Sequence, residues 1–255
     1  MTPTISLFDA TLSVVVPVKN EAANVAPLIA EIHDALAGLR DFEVIYVDDG
    51  SADGTSAALA AARAEYPRLR VIRHARCCGQ STAIHTGVEA ARFPWIATLD
   101  GDGQNDPQDI RVLLEVLAST GSQGGTLIAG HRVQRHDSWL RKLSSRIANS
   151  VRGRLLGDHT PDTGCGLKMF SRDLFLALPF FDHMHRFLPA LAIRHGGEIM
   201  SVPVSHRPRH AGRSKYGLHD RLWVGIVDLF GVMWLQHRMR HPVIVQESSA
   251  HDRNQ

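Results

Sequence analysis

The sequence predicts an α/β fold, a mostly parallel sheet with helices on both faces. Three observations carry that reading. Short, Val-rich apolar runs alternate with segments of helical spacing through residues 12–130. A run apolar on every position suits a strand buried on both faces, which is the signature of a parallel sheet. Several of these runs also stop at acidic or Gly-containing turns.

Leu12 to Pro17 (LSVVVP) reads as the first strand, fully buried and closed by Pro. Residues 20–39 carry apolar side chains at helical spacing. Phe42 to Val47 is the second strand, ending in Asp48-Asp49-Gly50-Ser51, with Asp53 as the expected N-cap of a helix through Glu65. Leu69 to Arg73 is the third strand and Ser81 to Arg92 a helix. Trp95 to Leu99 is the fourth strand, ending in Asp100-Gly101-Asp102. Pro107 opens the next helix, in the first turn where Pro is tolerated. Thr126 to Gly130 is the fifth strand. The second half is less regular: a basic helix over 138–155, a loop over 157–166, a short strand at 167–170, a helix over 187–194 and a strand over 198–204. A loop rich in Gly and Arg follows at 207–217, then an amphipathic helix over 218–238. The expected organisation is one domain over 1–217, the amphipathic segment 218–241, and a polar, disordered tail over 242–255.

The chain has 255 residues, 44% hydrophobic and 21% charged, an ordinary globular balance. Three cysteines exclude a disulfide scaffold and suit a reducing compartment. The first residues have no basic segment leading into a long apolar run, so no signal peptide is expected. The longest apolar stretch, Leu222 to Leu235, is 14 residues and holds Asp228. That is short of the roughly 20 needed to span a bilayer. The net charge of +2 hides an asymmetry: residues 1–130 carry −7, residues 131–154 carry +6, and residues 207–241 carry +5. This suggests a metal-binding first half and an anion-facing second half. The basic blocks lack interleaved aromatics and any recognition motif, so a nucleic-acid partner is not expected.

Ligands of open α/β sheets sit beyond the carboxyl ends of the strands, where the acidic turns lie. Carboxylates gathered there repel one another unless a cation offsets them, and oxygen ligands suit Mg²⁺ or Mn²⁺. Neither a P-loop nor a G-x-G-x-x-G is present.

Val-Pro-Val-Lys-Asn-Glu, Val-Asp-Asp-Gly-Ser-Ala-Asp-Gly-Thr, Gly-Gln-Ser-Thr-Ala and Leu-Asp-Gly-Asp-Gly-Gln-Asn-Asp-Pro together resemble a family 2 glycosyltransferase with the GT-A fold, a Rossmann-like sheet flanked by helices. Gly130-His131-Arg132, Asp137 to Arg141, Asp162-Thr163-Gly164-Cys165-Gly166 and Arg209 to Gly217 narrow the resemblance. They are similar to the dolichyl-phosphate mannosyltransferases and bacterial polyprenyl-phosphate glycosyltransferases, over residues 12 to 238.

The resemblance implies an inverting transfer of a sugar from GDP-mannose or a UDP-sugar to a polyprenyl phosphate, for cell-envelope glycan assembly. It implies that Pro17, Lys19, Glu21, Asp48 and Asp49 line the nucleotide pocket. Asp100, Asp102 and Gln104 would hold the metal. Arg132, Arg141, Ser145, Arg209, Ser214 and Lys215 would contact phosphates. Asp162 is the residue named if a base or a sugar-hydroxyl contact is needed. The acceptor phosphate, whose second ionisation lies near pH 6, is already largely anionic at neutral pH, so no dedicated base is required. Trp and Arg near the ends of 218–238 suit a helix in the bilayer interface, and a core or dimer helix is the competing reading. The expected location is cytoplasmic, peripheral to the inner face of the membrane, on the lipid or on a membrane-protein partner. Alternatives are a family 2 enzyme with a non-lipid or polysaccharide acceptor, a sugar nucleotidyltransferase, and a non-catalytic nucleotide-sugar-binding scaffold.

Overall fold

A computed structural model describes residues 10–120, 124–133, 152–158, 160–208 and 218–238. Its strands are β1 (Thr11–Val18), β2 (Asp41–Asp48), β3 (Leu69–Arg73), β4 (Trp95–Thr98), β5 (Thr126–Arg132), β6 (Lys168–Ser171) and β7 (Glu198–Val204). The helices are α1 (Ala22–Leu36), α2 (Thr55–Glu65), α3 (Gln80–Ala90), α4 (Asp109–Thr120), α5 (Arg172–Ala177), α6 (Leu188–Arg194) and α7 (Leu218–Arg238), with a 3₁₀ turn at Met184–Arg186. The seven strands form one sheet in the order β3-β2-β1-β4-β6-β5-β7. β3, β2, β1 and β4 pair parallel, as do β5 and β7. β6 runs antiparallel to both β4 and β5. The mostly parallel sheet is therefore as expected, with one reversed strand in its middle.

Alternation along each strand sends side chains to two cores. Val14 and Val16 of β1 and Val44 and Tyr46 of β2 pack on Val25, Ile29 and Ile32 of α1, Leu59 of α2 and Leu113 of α4. Val15, Ile45 and Val47 point the other way, onto Ile84 and Val88 of α3, Phe175 of α5, Leu191 of α6 and Val232 of α7. Burial on both faces explains why β1 and β2 read as unbroken apolar runs. Gly87 lets α3 ride close on the sheet, since a Cβ there would lie 2.4 Å from Val15 Cγ1.

Two local expectations are corrected. The N-cap of α2 is Gly54, not Asp53. Asp53 acts one residue earlier: Oδ1 accepts from Thr55 N at 3.0 Å and Oδ2 from Ala22 N at 3.4 Å, tying the starts of α1 and α2 together. The apolar residues of α7 also divide. Leu229, Val232 and Met233 pack on the core, whereas Phe230 and Trp234 are 65% and 59% exposed. Arg194 Nε holds the helix by donating to Leu235 O at 2.9 Å. Residues 138–151 of the basic helix and the 209–217 loop lie outside the described residues, and residues 152–156 are helical.

Candidate active site

β1 has β2 on one side and β4 on the other, so the strand order reverses there and a crevice opens at the carboxyl ends of β1 and β4. A cleft of about 440 Å³ occupies this place. Pro17, Thr98 and Asp100 line it from the strand ends, and Gln80 and Ile84 from α3. Arg132 enters from the end of β5, Thr163 to Gly166 from the loop before β6, and His185 and Arg186 from the 3₁₀ turn.

Asp100 accepts from Gln80 Nε2 at 2.8 Å. Burial in the cleft and repulsion from Asp102 push its carboxyl up to about 6, against the pull of Lys168 and Arg132. A buried carboxyl raised by a neighbouring carboxylate is a fit for a divalent cation, and its oxygens suit Mg²⁺ or Mn²⁺. Asp102 Oδ1 accepts from Gln104 N at 3.1 Å. Gln104 Nε2 lies 3.4 Å from Arg207 O and 3.5 Å from His206 Nε2, so its amide nitrogen faces β7's exit and its oxygen remains an available ligand. Gly166 makes this crowding tolerable: a Cβ there would lie 2.3 Å from Asp100 Cγ.

Asp49 sits at the centre of a separate cradle. Oδ1 accepts from His74 Nδ1 at 2.8 Å and Cys78 N at 2.7 Å, and Oδ2 from Gly79 N at 2.9 Å and Cys77 Sγ at 3.2 Å. Burial works against its ionised form, but these donors outweigh it and hold the carboxyl below the ordinary value. Asp49, His74 and Cys78 also bring ligand atoms within 4.8 Å of one another. The Asp49 oxygens are already satisfied by four donors, so the Asp100 pair is the better cation seat.

Several expected residues take other places. Asp48 does not line the cleft. It is a turn cap, accepting from Ser51 N at 2.9 Å and Ser56 Oγ at 2.5 Å. Glu21 is the N-cap residue of α1, and its Oε2 accepts from Asn24 Nδ2 at 2.6 Å. Neither Glu21 nor Lys19 is on the cleft lining. Arg132 and Asp162, expected in separate roles, are a pair. Arg132 Nε and Nη2 donate to the two Asp162 oxygens at 2.6 and 2.9 Å. A carboxylate held bidentately by a guanidinium has both oxygens engaged, which suits holding Arg132 in place. Arg141, Ser145, Arg209, Ser214 and Lys215 lie outside the described residues.

The structure also adds residues that the sequence reading passed over. Lys168 is buried, and its ammonium donates to the carbonyls of Thr163 (3.3 Å) and Cys165. It was legible as a lone Lys in a strand. Burial lowers its pKa, while the nearby acidic groups raise it. Gln80 lay within a quoted motif without a role. His185 and Arg186 lie between the expected strand at 167–170 and the expected helix over 187–194, where the sequence suggested neither an element nor a role.

A mostly parallel sheet with acidic and basic side chains gathered at its switch point fits a GT-A glycosyltransferase. The chain belongs to glycosyl transferase family 2, which it matches over residues 13–178. It is 36% identical over 239 residues to a dodecaprenyl-phosphate galacturonate synthase from Rhizobium johnstonii, covering 91% of this chain and 69% of that one. It is 35% identical over 209 residues to an undecaprenyl-phosphate 4-deoxy-4-formamido-L-arabinose transferase from Aeromonas hydrophila, covering 81% and 63%. The chain thus spans about two thirds of the length of these relatives. Among solved structures, glucosyl-3-phosphoglycerate synthase from Mycobacterium tuberculosis, in complex with Mn²⁺ and UDP, superposes with a TM-score of 0.67 at 19% identity, covering 91% and 81%. A mannosyltransferase from Pyrobaculum calidifontis, bound to GDP-mannose and Mn²⁺, gives 0.66 at 20%, covering 91% and 65%. Both likenesses establish the fold.

Proposed function

We infer that this chain transfers a sugar from a nucleotide-sugar to a polyprenyl phosphate. The observation that carries the reading is the cleft itself: the Asp100 carboxylate, with the charge of Asp102 acting on it, and the Arg132 guanidinium share one crevice, in a chain more than a third identical to a polyprenyl-phosphate sugar synthase. Asp100, Asp102 and Gln104 are the residues that hold Mg²⁺ or Mn²⁺, with Gln80 orienting Asp100. A bound cation supplies charge for the diphosphate. Arg132, fixed in direction by Asp162, faces a phosphate oxygen, and Lys168 ties down the loop that carries Asp162. Pro17 and the loop anchored by Asp49 frame the nucleotide. Arg141, Ser145, Arg209, Ser214 and Lys215 serve the acceptor phosphate. The phosphate oxygen attacks the anomeric carbon directly, the nucleoside diphosphate leaves, and the configuration inverts.

Among the described residues no helix is long and apolar enough to cross a membrane. The exposed Phe230 and Trp234 of α7, with Arg238 5.8 Å from the Trp234 ring, support contact with the membrane surface that holds the lipid. The same face could instead seat a second copy of the chain.

The test is a donor panel. Purified protein, Mn²⁺ or Mg²⁺ and undecaprenyl phosphate are incubated with GDP-mannose and several UDP-sugars. Lipid-linked sugar and released nucleoside diphosphate should appear with one donor and vanish with chelation or Asp102→Ala. Nucleotide binding without lipid product from any donor sinks the lipid-acceptor reading.

A further inference from the structure

Cys77 and Cys78 are exposed thiols that the transfer reaction as read above does not use, and neither lines the cleft. Their loop is docked closely. Gly50, with a φ of 66°, packs against it so tightly that a Cβ would lie 2.6 Å from Arg76 C. Asp49, with a side chain 6% exposed, takes Cys78 N and Gly79 N on its two oxygens. His74, directly after β3, meets the same carboxylate through Nδ1 at 2.8 Å. A carboxylate oxygen, an imidazole nitrogen and the Cys78 sulfur therefore lie within 4.8 Å of one another, brought together from the end of β2, the end of β3 and the loop before α3.

For Mg²⁺ or Mn²⁺ this set is the poorer seat, since hard cations take oxygen. Nitrogen and sulfur donors reverse the choice and select Zn²⁺. Zn²⁺ bonds of about 2.0–2.3 Å place tetrahedral ligands about 3.3–3.6 Å apart, so the widest separation here closes by about 1 Å. Cys78 is the side chain free to make that movement: it is exposed, and its Sγ gives up only a weak bond to Arg76 O at 3.3 Å. His74 already has the outer partner that a zinc-bound imidazole needs, because Nε2 lies 3.0 Å from Thr86 Oγ1 on α3. A hydroxyl both donates and accepts, so Thr86 keeps its bond when the ring proton moves from Nδ1 to Nε2. The Cys78 thiol loses one proton to solvent. Ionised Asp49 and the Cys78 thiolate then match the two charges of the cation, and water completes the tetrahedron on the exposed side. We propose that Asp49, His74 and Cys78 form a Zn²⁺ site, separate from the Mg²⁺ or Mn²⁺ seat at Asp100, that clamps the ends of β2 and β3 to the loop before α3.

Co²⁺ is the probe, since it enters zinc sites and a thiolate ligand gives it a charge-transfer band in the near ultraviolet. The full chain is titrated under a non-thiol reductant, with excess Mg²⁺ to occupy oxygen sites. The band should saturate at a single Co²⁺ per chain, disappear on adding Zn²⁺, and persist in Asp102→Ala. Cys78→Ser should abolish the band. Zn²⁺ affinity, read by competition with a chromophoric chelator, should fall at least about 100-fold in Cys78→Ser and in His74→Gln, since even the outer partners of a metal site are worth about 10–100-fold. Thr86→Val, which keeps the shape of the side chain, should weaken Zn²⁺ within that 10–100-fold range. Absence of the band in the parent chain overturns the proposal. So does equal weakening in Cys77→Ser and Cys78→Ser with no effect of His74→Gln or Thr86→Val, which would be metal held by a bare surface thiol pair. Neither nucleotide nor lipid enters the measurement, so its outcome is independent of the sugar-transfer reading.

Discussion

Replacing Arg132 by Met removes the guanidinium and keeps much of the apolar stem. Asp162, with a side chain 9% exposed, then loses two hydrogen bonds of 2.6 and 2.9 Å and its ion pair together. Stranding one partner of a buried pair costs about 3–5 kcal/mol. The lower end applies here, because Arg132 is itself 17% exposed and the charges of Lys168 and Arg152 also reach Asp162. About 3 kcal/mol corresponds to a fall in Tm of roughly 6–12 °C for a chain of this size. Arg132→Met/Asp162→Asn removes the stranded charge and should recover most of that loss, leaving about 1 kcal/mol. Thermal and urea melts followed by circular dichroism give the stability of each variant, and the lipid-transfer assay gives activity. Both single and double variants should lose turnover, since the double restores the fold and not the phosphate contact. A single variant melting within about 2 °C of the parent, or a double no better than the single, would refute the argument that the pair is mutually dependent.

Three further outcomes are expected. The Asp100 carboxyl, raised from 3.8 to about 6, should make the Mn²⁺ affinity of the nucleotide-free protein fall about tenfold per pH unit below pH 6, and calorimetry showing flat affinity from pH 7 to 5 removes this. The sign for stability is opposite: the folded state binds this proton more tightly, so the metal-free protein gains stability from Asp100 as pH falls from above 6 toward 4. Gly166→Ala places a methyl against Asp100 and should cost about 1–3 kcal/mol in melts together with Mn²⁺ binding, whereas parent-like affinity shows that the carboxylate can move aside. Phe230→Glu/Trp234→Glu should abolish flotation with anionic liposomes, and equal flotation removes α7 as the contact.

Local pattern made much of the fold legible. β3 and β7 match their expected bounds because both ends are set by nearby polar or turn residues, and the acidic turns were placed at the correct sheet edge. The reversed β6 was not legible, since four residues carry no mark of direction. α5 was also missed, because six residues are too few to show a helical period. In the site, acidic side chains were easy to find and hard to assign. Asp48, Asp49 and Asp100 look alike in sequence. Three different neighbourhoods, a Ser turn, a ring of four donors and a second carboxylate, make them a cap, a cradle and the proposed metal seat. The Arg132–Asp162 pair and the Ser81–His185 bond join residues 30 and 104 positions apart, and no local pattern encodes such meetings.

One contact on α7 reaches beyond the helix. Asp228, which in the sequence only diluted an apolar stretch, lies 3.2 Å from His183 Nδ1. His183 has a positive φ of 64° and is followed at once by the turn that carries His185 and Arg186. The outer helix and the cleft wall formed by this turn are thus wired together by one short link. A genetic screen for inactive enzymes should return hits at Asp228 and His183, and their defect should be in kinetics, with protein abundance and location unaltered.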